Sequence, residues 1–287
     1  MTRLVPHFLI IGAMKSGTTT LHDDLRSSDE FALSDIKEPA ILATSSDEAE
    51  AERRYTRHFA RLRGDIRGEA STVYTQQPRH PDVALRARAV CGPELRLVMI
   101  MRDPVERILS HLRHDLAAGR FRPGEEARVV EELPDYIAAS DYPARLRPWV
   151  AAFGAERLLC VPFDALRRDR VAAVQGVVRF LGGDPARVRP GKEVSNPSGG
   201  QRGIAPGPVA RLVRSDLYRY SLRHLLPAPV RETVRRFVAG SPVAADVGLP
   251  PDLLARLRER FAGIEGELAA LTGQRVRLGA GEGAGNE

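Results

Sequence analysis

The chain has 287 residues, with 43 Lys+Arg against 37 Asp+Glu and a formal charge of +6. That length suits one large domain with a substantial core, and 43% hydrophobic with 28% charged residues is the composition of an ordinary globular protein. The basic balance favours anionic partners, while two cysteines far apart, Cys91 and Cys160, exclude a disulfide framework and show no zinc spacing.

In chain order, "HFLIIG" (7–12) reads as a buried strand that runs into a glycine loop and then a helix from about Thr18 to Ser27. Its apolar part is too short for a signal-peptide core, and no stretch approaches the roughly 18 apolar residues of a membrane span. A soluble, cytoplasmic protein with no integral membrane association is expected. Helical patterns follow over 47–62, 79–91, 104–118, 142–153, 169–182 and 250–272. Strands are expected at "IRGEAS" (66–71), "ELRLVMIM" (94–101) and "RLLCVPF" (157–163), where Cys160 reads as a small buried hydrophobe. The uniformly apolar 94–101 run suits a strand covered on both faces, and Pro104 suits the first turn of the next helix. Residues 186–207, rich in Pro and Gly, read as a long loop, and 279–287 as a disordered tail. The alternation predicts a P-loop-like, three-layer α/β/α fold on a central parallel sheet, with one domain over 1–278.

"IIGAMKSGTTTL" (10–21) departs from the phosphate-binding pattern G-x-x-x-x-G-K-S/T in one respect. Gly12 and Gly17 keep the glycine separation, but Thr18 stands where the lysine belongs and Lys15 sits inside the loop. A glycine loop between strand and helix start offers backbone N–H groups and the positive end of the helix dipole to an anion. Thr18 and Thr19 add hydroxyls there, and Lys15 adds a charge. A triphosphatase also needs an acidic metal ligand at the end of a second strand. Here that strand ends "VMIMRDP", where Arg102 opposes a metal and favours a second anion. The loop therefore suits a monophosphate-like group with no obligatory metal.

"PHFLIIGAMKSGTTTLHDDL", "KEPAIL" and "LRLVMIMRDPVERILSHLRHD", in that order, resemble sulfotransferases that use 3′-phosphoadenosine-5′-phosphosulfate (PAPS), most closely the heparan-sulfate-type and related bacterial branch. The resemblance covers roughly residues 6–203. It implies that Lys15, Ser16, Gly17, Thr18 and Thr19 bind the 5′-phosphosulfate and that Arg102 and Ser110 bind the 3′-phosphate. A guanidinium suits that role because it makes two parallel charge-assisted bonds. The resemblance also assigns Glu38 as the catalytic base, with Lys15 and Lys37 as neighbouring cations. In "GEASTVY" it points to Glu69 and Tyr74, and in "SDYPARLRPWV" to Tyr142, as acceptor-site residues. Trp149 reads as core.

Arg202 and Gly203 resemble the family's pair that closes over the nucleotide, with Lys192 second; "AIL" replaces the family's usual aromatic pair after Pro39, which bears on the acceptor pocket. Arg107 is expected to pair with Asp103 at i,i+4. His80, His111 and His114 show no metal spacing, and seven arginines against two acids over 211–237 read as a solvated helical face. The implied partners are PAPS and a small-molecule or carbohydrate acceptor bearing a hydroxyl, with an amine second and nucleic acid excluded. The rivals are a P-loop small-molecule kinase and a non-catalytic nucleotide-binding domain.

Overall fold

Phe8–Gly12 forms β1, the middle member of a five-stranded sheet whose strands all run parallel. The computed structural model describes residues 3–33, 37–191, 202–204, 239–242 and 247–279. The other strands are β2 (Phe31–Ala32), β3 (Ile66–Ala70), β4 (Arg96–Met101) and β5 (Leu158–Pro162), in the spatial order β2-β3-β1-β4-β5. β1 is flanked by β3 and β4, so its carboxyl end is the point where successive connections diverge to opposite sides. In open α/β sheets that crevice is where ligands bind.

Strand side chains alternate between two cores, which makes three layers. Leu9 and Ile11 of β1, with Leu97, Met99 and Met101 of β4, join one cluster; Phe8, Ile10, Val98 and Ile100 join the other. The first layer contains α3 (Glu48–Phe59), α4 (Val83–Cys91), α5 (Pro104–Ala117) and α8 (Tyr142–Phe153), with α11 (Pro251–Phe261) and α12 (Ile264–Thr272). The second contains α1 (Thr18–Leu25) and α10 (Arg170–Leu181). Trp149 is wholly buried, and Cys160 is buried in β5. This is the P-loop-like α/β/α arrangement expected from the alternation of strands and helices.

Local chemistry sets several boundaries. Asp103 caps α5 by accepting the Glu106 N–H at 2.8 Å, with Pro104 in the first turn. Asp141 and Asp169 do the same for α8 and α10. Short elements escape the periodic reading: β2, α2 (Ile41–Thr44), α6 (Glu126–Glu132), α7 (Asp135–Ala138) and α9 (Phe163–Arg168). Phe163, expected at a strand end, instead opens α9, and the 250–272 pattern divides into α11 and α12 around Ala262 and Gly263.

Within the expected 186–207 loop, Arg202–Ile204 forms β6, paired antiparallel with β7 (Ala239–Pro242), and β6 touches α5. Arg202 and Gly203 thus lie in a strand, not in irregular chain. Lys192, the 211–237 segment and residues 280–287 lie outside the described residues.

Candidate active site

Each loop at the carboxyl edge of the sheet brings a residue to one cavity of about 1060 Å³. The β1 loop contributes Lys15, Gly17, Thr18 and Thr19; the chain after β2 contributes Lys37 and Glu38. Thr72 follows β3, Arg102 follows β4, and Phe163 follows β5. Ser110, His111, His114 and Asp115 of α5 form another wall.

The β1 loop is folded for an anion. Gly17 is the N-cap of α1 with φ 88°, and no side chain caps that end, so the first-turn N–H groups have no intrahelical partner. A Cβ at Gly17 would stand 2.8 Å from the Phe163 ring, so only glycine permits both the turn and that contact. Lys15 also has positive φ (69°), which puts it on the cavity side of the loop. Burial, opposed by Asp115 and reinforced by Arg102 and Lys37, pushes its ammonium down to about 8. Ser16 is wholly buried and does not border the cavity; its N–H donates to Ala13 O at 3.2 Å.

Arg102 is held as a platform. Its guanidinium lies 5.3 Å from the Phe163 ring centroid and donates to Glu106 at 2.9 Å. Tyr142 fixes the backbone beneath it by donating its hydroxyl to Arg102 O at 2.7 Å. Ser110, 1% exposed, lies two turns along α5 and borders the same cavity.

Glu38 has φ 66° and turns its carboxylate onto Lys37 Nζ at 2.5 Å and onto the Thr72 hydroxyl at 3.0 and 3.2 Å. It faces the same cavity as Lys15. Glu69, Tyr74 and Tyr142 are brought together differently from the acceptor-site expectation. All three are buried and none borders the cavity. Glu69 receives the hydroxyls of Tyr55, Ser71 and Tyr74, and burial pushes its carboxyl up against those bonds. Burial likewise pushes the Tyr142 phenol up to about 12.

Arg107 makes no side-chain pair with Asp103. Its backbone N–H bonds Asp103 O at 2.8 Å, but its buried guanidinium reaches Ser140 Oγ and Tyr136 O. Burial pushes it down to about 10. The His111 ring lies 4.3 Å from that of Tyr136, tilted by 36°, and contacts Arg107 and Asp115, and burial followed by the Arg107 charge pushes it well below the usual imidazole range. His111 is therefore a neutral part of the wall. The sequence reading missed Thr72, Phe163, Asp115, Tyr136 and Arg120. Of these, Phe163 and Thr72 were reachable in principle, because both follow strands at their carboxyl ends.

No group of His, Cys, Asp and Glu arranged for a metal occurs among the described residues, and no described helix is long and apolar enough to cross a membrane.

A parallel sheet of this order, a lysine-bearing glycine loop and a second cationic position after β4 define an anion-handling α/β enzyme fold. Residues 5–195 match the sulfotransferase domain family, and the chain belongs to that family. The bifunctional heparan sulfate N-deacetylase/N-sulfotransferase 4 of Mus musculus is 25% identical over 202 residues, 63% of this chain and 23% of that protein. The membrane-associated sulfotransferase kil1 of Dictyostelium discoideum is 34% identical over 110 residues, 37% of this chain and 22% of that one. The chain thus spans less than a quarter of the length of these curated relatives. The crystal structure of a sulfotransferase from Alicyclobacillus acidocaldarius shares the fold, with TM-score 0.66 and 22% identity over 95% of this chain and 97% of that one.

Proposed function

We propose that the chain transfers a sulfuryl group from PAPS to a hydroxyl of a small-molecule or carbohydrate acceptor, with an amine as the lesser case. The carrying observation is that Lys15, Arg102 and Glu38 border one cavity, two separate cations for two anionic groups and one carboxylate for a proton. The donor set suits PAPS: the uncapped α1 N-terminus with Lys15, Thr18 and Thr19 for the phosphosulfate, and Arg102 with Ser110 for the 3′-phosphate. Arg202 and Gly203, in the strand beside α5, complete the nucleotide side in this reading.

Bound PAPS supplies the sulfuryl group and a phosphate leaving group. Glu38 accepts the acceptor's proton on a carboxylate oxygen, and Lys37 and Thr72 hold that carboxylate in one orientation. Lys15 and the first-turn N–H groups of α1 stabilise the negative charge that develops on the departing phosphate oxygen. Removing one such donor costs about 3 kcal/mol.

The test is turnover of radiolabelled PAPS against a panel of phenol, sugar and amine acceptors. Transfer by the wild type and its loss in Lys15→Ala and Glu38→Ala, with the fold intact, is the expected result. Near-normal turnover by Glu38→Ala would remove the base assignment.

A further inference from the structure

The turn that carries Glu38 is bonded, amide by amide, to the segment that follows β3. Glu38 N–H donates to Ala70 O at 2.9 Å, Ala40 N–H to Ser71 Oγ at 3.0 Å, and Leu42 N–H to Tyr74 OH at 3.1 Å. Pro39, between them, has no N–H to place. Three of the four amides from residue 38 to 42 are thereby bonded to partners in residues 70–74.

Glu69 is the hub. Ser71 Oγ donates to it at 2.6 Å, Tyr55 OH at 2.5 Å, and Tyr74 OH donates as well. A hydroxyl has one proton and two lone pairs. Because Ser71 and Tyr74 commit their protons to Glu69, their lone pairs are left facing the amides of Ala40 and Leu42. Without the carboxylate, both hydroxyls lose that direction.

The turn needs this support. Glu38 and Ala40 both have positive φ, 66° and 51°. Non-glycine residues in that region are strained and persist only where their surroundings over-determine them. A buried carboxylate is itself costly unless fully hydrogen-bonded, and Glu69 is 2% exposed behind the cavity wall.

We propose that Glu69 is a positioning residue for Glu38: its carboxylate orders Ser71, Tyr55 and Tyr74 into the template that fixes the 38–42 turn and so aims Glu38 into the cavity. The catalytic part of this proposal rests on the reading of Glu38 as base; the template part does not.

The experiment combines hydrogen exchange with a double-mutant cycle on the full chain. Glu69→Gln is expected to raise amide exchange at 40–42 by about tenfold or more. Turnover of radiolabelled PAPS against the acceptor panel falls by ~100-fold, the scale of a small misplacement of a reacting group. The Kd for 3′,5′-adenosine bisphosphate stays unchanged. In a Glu38→Gln background, Glu69→Gln causes no further loss of turnover. If Glu69→Gln fails to fold, Tyr74→Phe removes the acceptor for Leu42 N–H, keeps the carboxylate, and is read the same way.

Unchanged exchange at 40–42 would overturn the template. A full further loss on top of Glu38→Gln would overturn action through Glu38. Near-normal turnover of Glu38→Gln alone would sink the base reading, and the exchange result would still decide the template.

Discussion

Lys37 Nζ stands 2.5 Å from Oε1 of Glu38, and the Thr72 hydroxyl bonds the same carboxylate at 3.0 Å. A carboxylate clamped from two sides has lost most of its rotamer freedom before substrate arrives. Thr72→Val is therefore expected to lower turnover about tenfold, the rate equivalent of about 1.4 kcal/mol, and to leave bisphosphate binding unchanged. Steady-state kinetics beside calorimetric titration separates the two effects.

Lys15 pairs a functional charge with a cost in stability. Its folded pKa of about 8 lies below the usual lysine value of 10.5, so the unfolded chain holds more protons across that window. Stability thus gains from this group as pH rises from about 8 towards 10.5, and at neutral pH the buried ammonium is a net cost. In the proposed reading the bisphosphate needs the cation, so its binding is expected to weaken as pH rises through about 8, and binding near that pH to take up a proton. Lys15→Met is expected to raise Tm at pH 7 while losing donor binding and the alkaline limb of the pH profile. Melting and titration across pH 6–9.5 check both signs.

Arg102 is expected to act on one phosphate only. Arg102→Ala should weaken 3′,5′-adenosine bisphosphate by about 1.5–3 kcal/mol, the range for a hydrogen bond to a charged group. Adenosine 5′-monophosphate should bind as before. Its pair with Glu106, whose side chain is 51% exposed, adds little to stability, so Tm should move by a degree or less. Paired titrations with the two nucleotides test the assignment.

Gly17→Ala should damage the loop through geometry alone. The residue has φ 88°, and the added carbon would stand 2.8 Å from the Phe163 ring. A fall in Tm together with loss of bisphosphate binding is expected. Phe163→Ala in the same background removes the clash but not the backbone strain, so it should restore Tm only in part.

Much of this architecture was legible where one element carries its own signal. The 142–153 helix pattern coincides with α8, and the 94–101 apolar run contains β4, because periodicity and caps are local properties. The displaced Lys15 and the arginine after β4 were legible for the same reason. Relationships between distant segments were not. β2, a two-residue strand, exists only as a ladder on β3 and has no pattern of its own. Arg107 looked like an i,i+4 partner of Asp103, yet its guanidinium turns inward to Tyr136 on α7 and Ser140 in the turn after it. Glu69 at a strand end looked like a residue for substrate. Its burial follows from Tyr55 on α3, fourteen residues earlier, whose hydroxyl no sequence pattern directs to it.

The central claim is a metal-independent site for a donor with phosphates at two positions. The most direct test is calorimetric titration of the full chain in a chelator with 3′,5′-adenosine bisphosphate, beside ATP with Mg²⁺. The account predicts micromolar or tighter binding of the bisphosphate without metal, abolished by Lys15→Ala and weakened by Arg102→Ala. Binding of ATP–Mg²⁺ with no binding of the bisphosphate would contradict it.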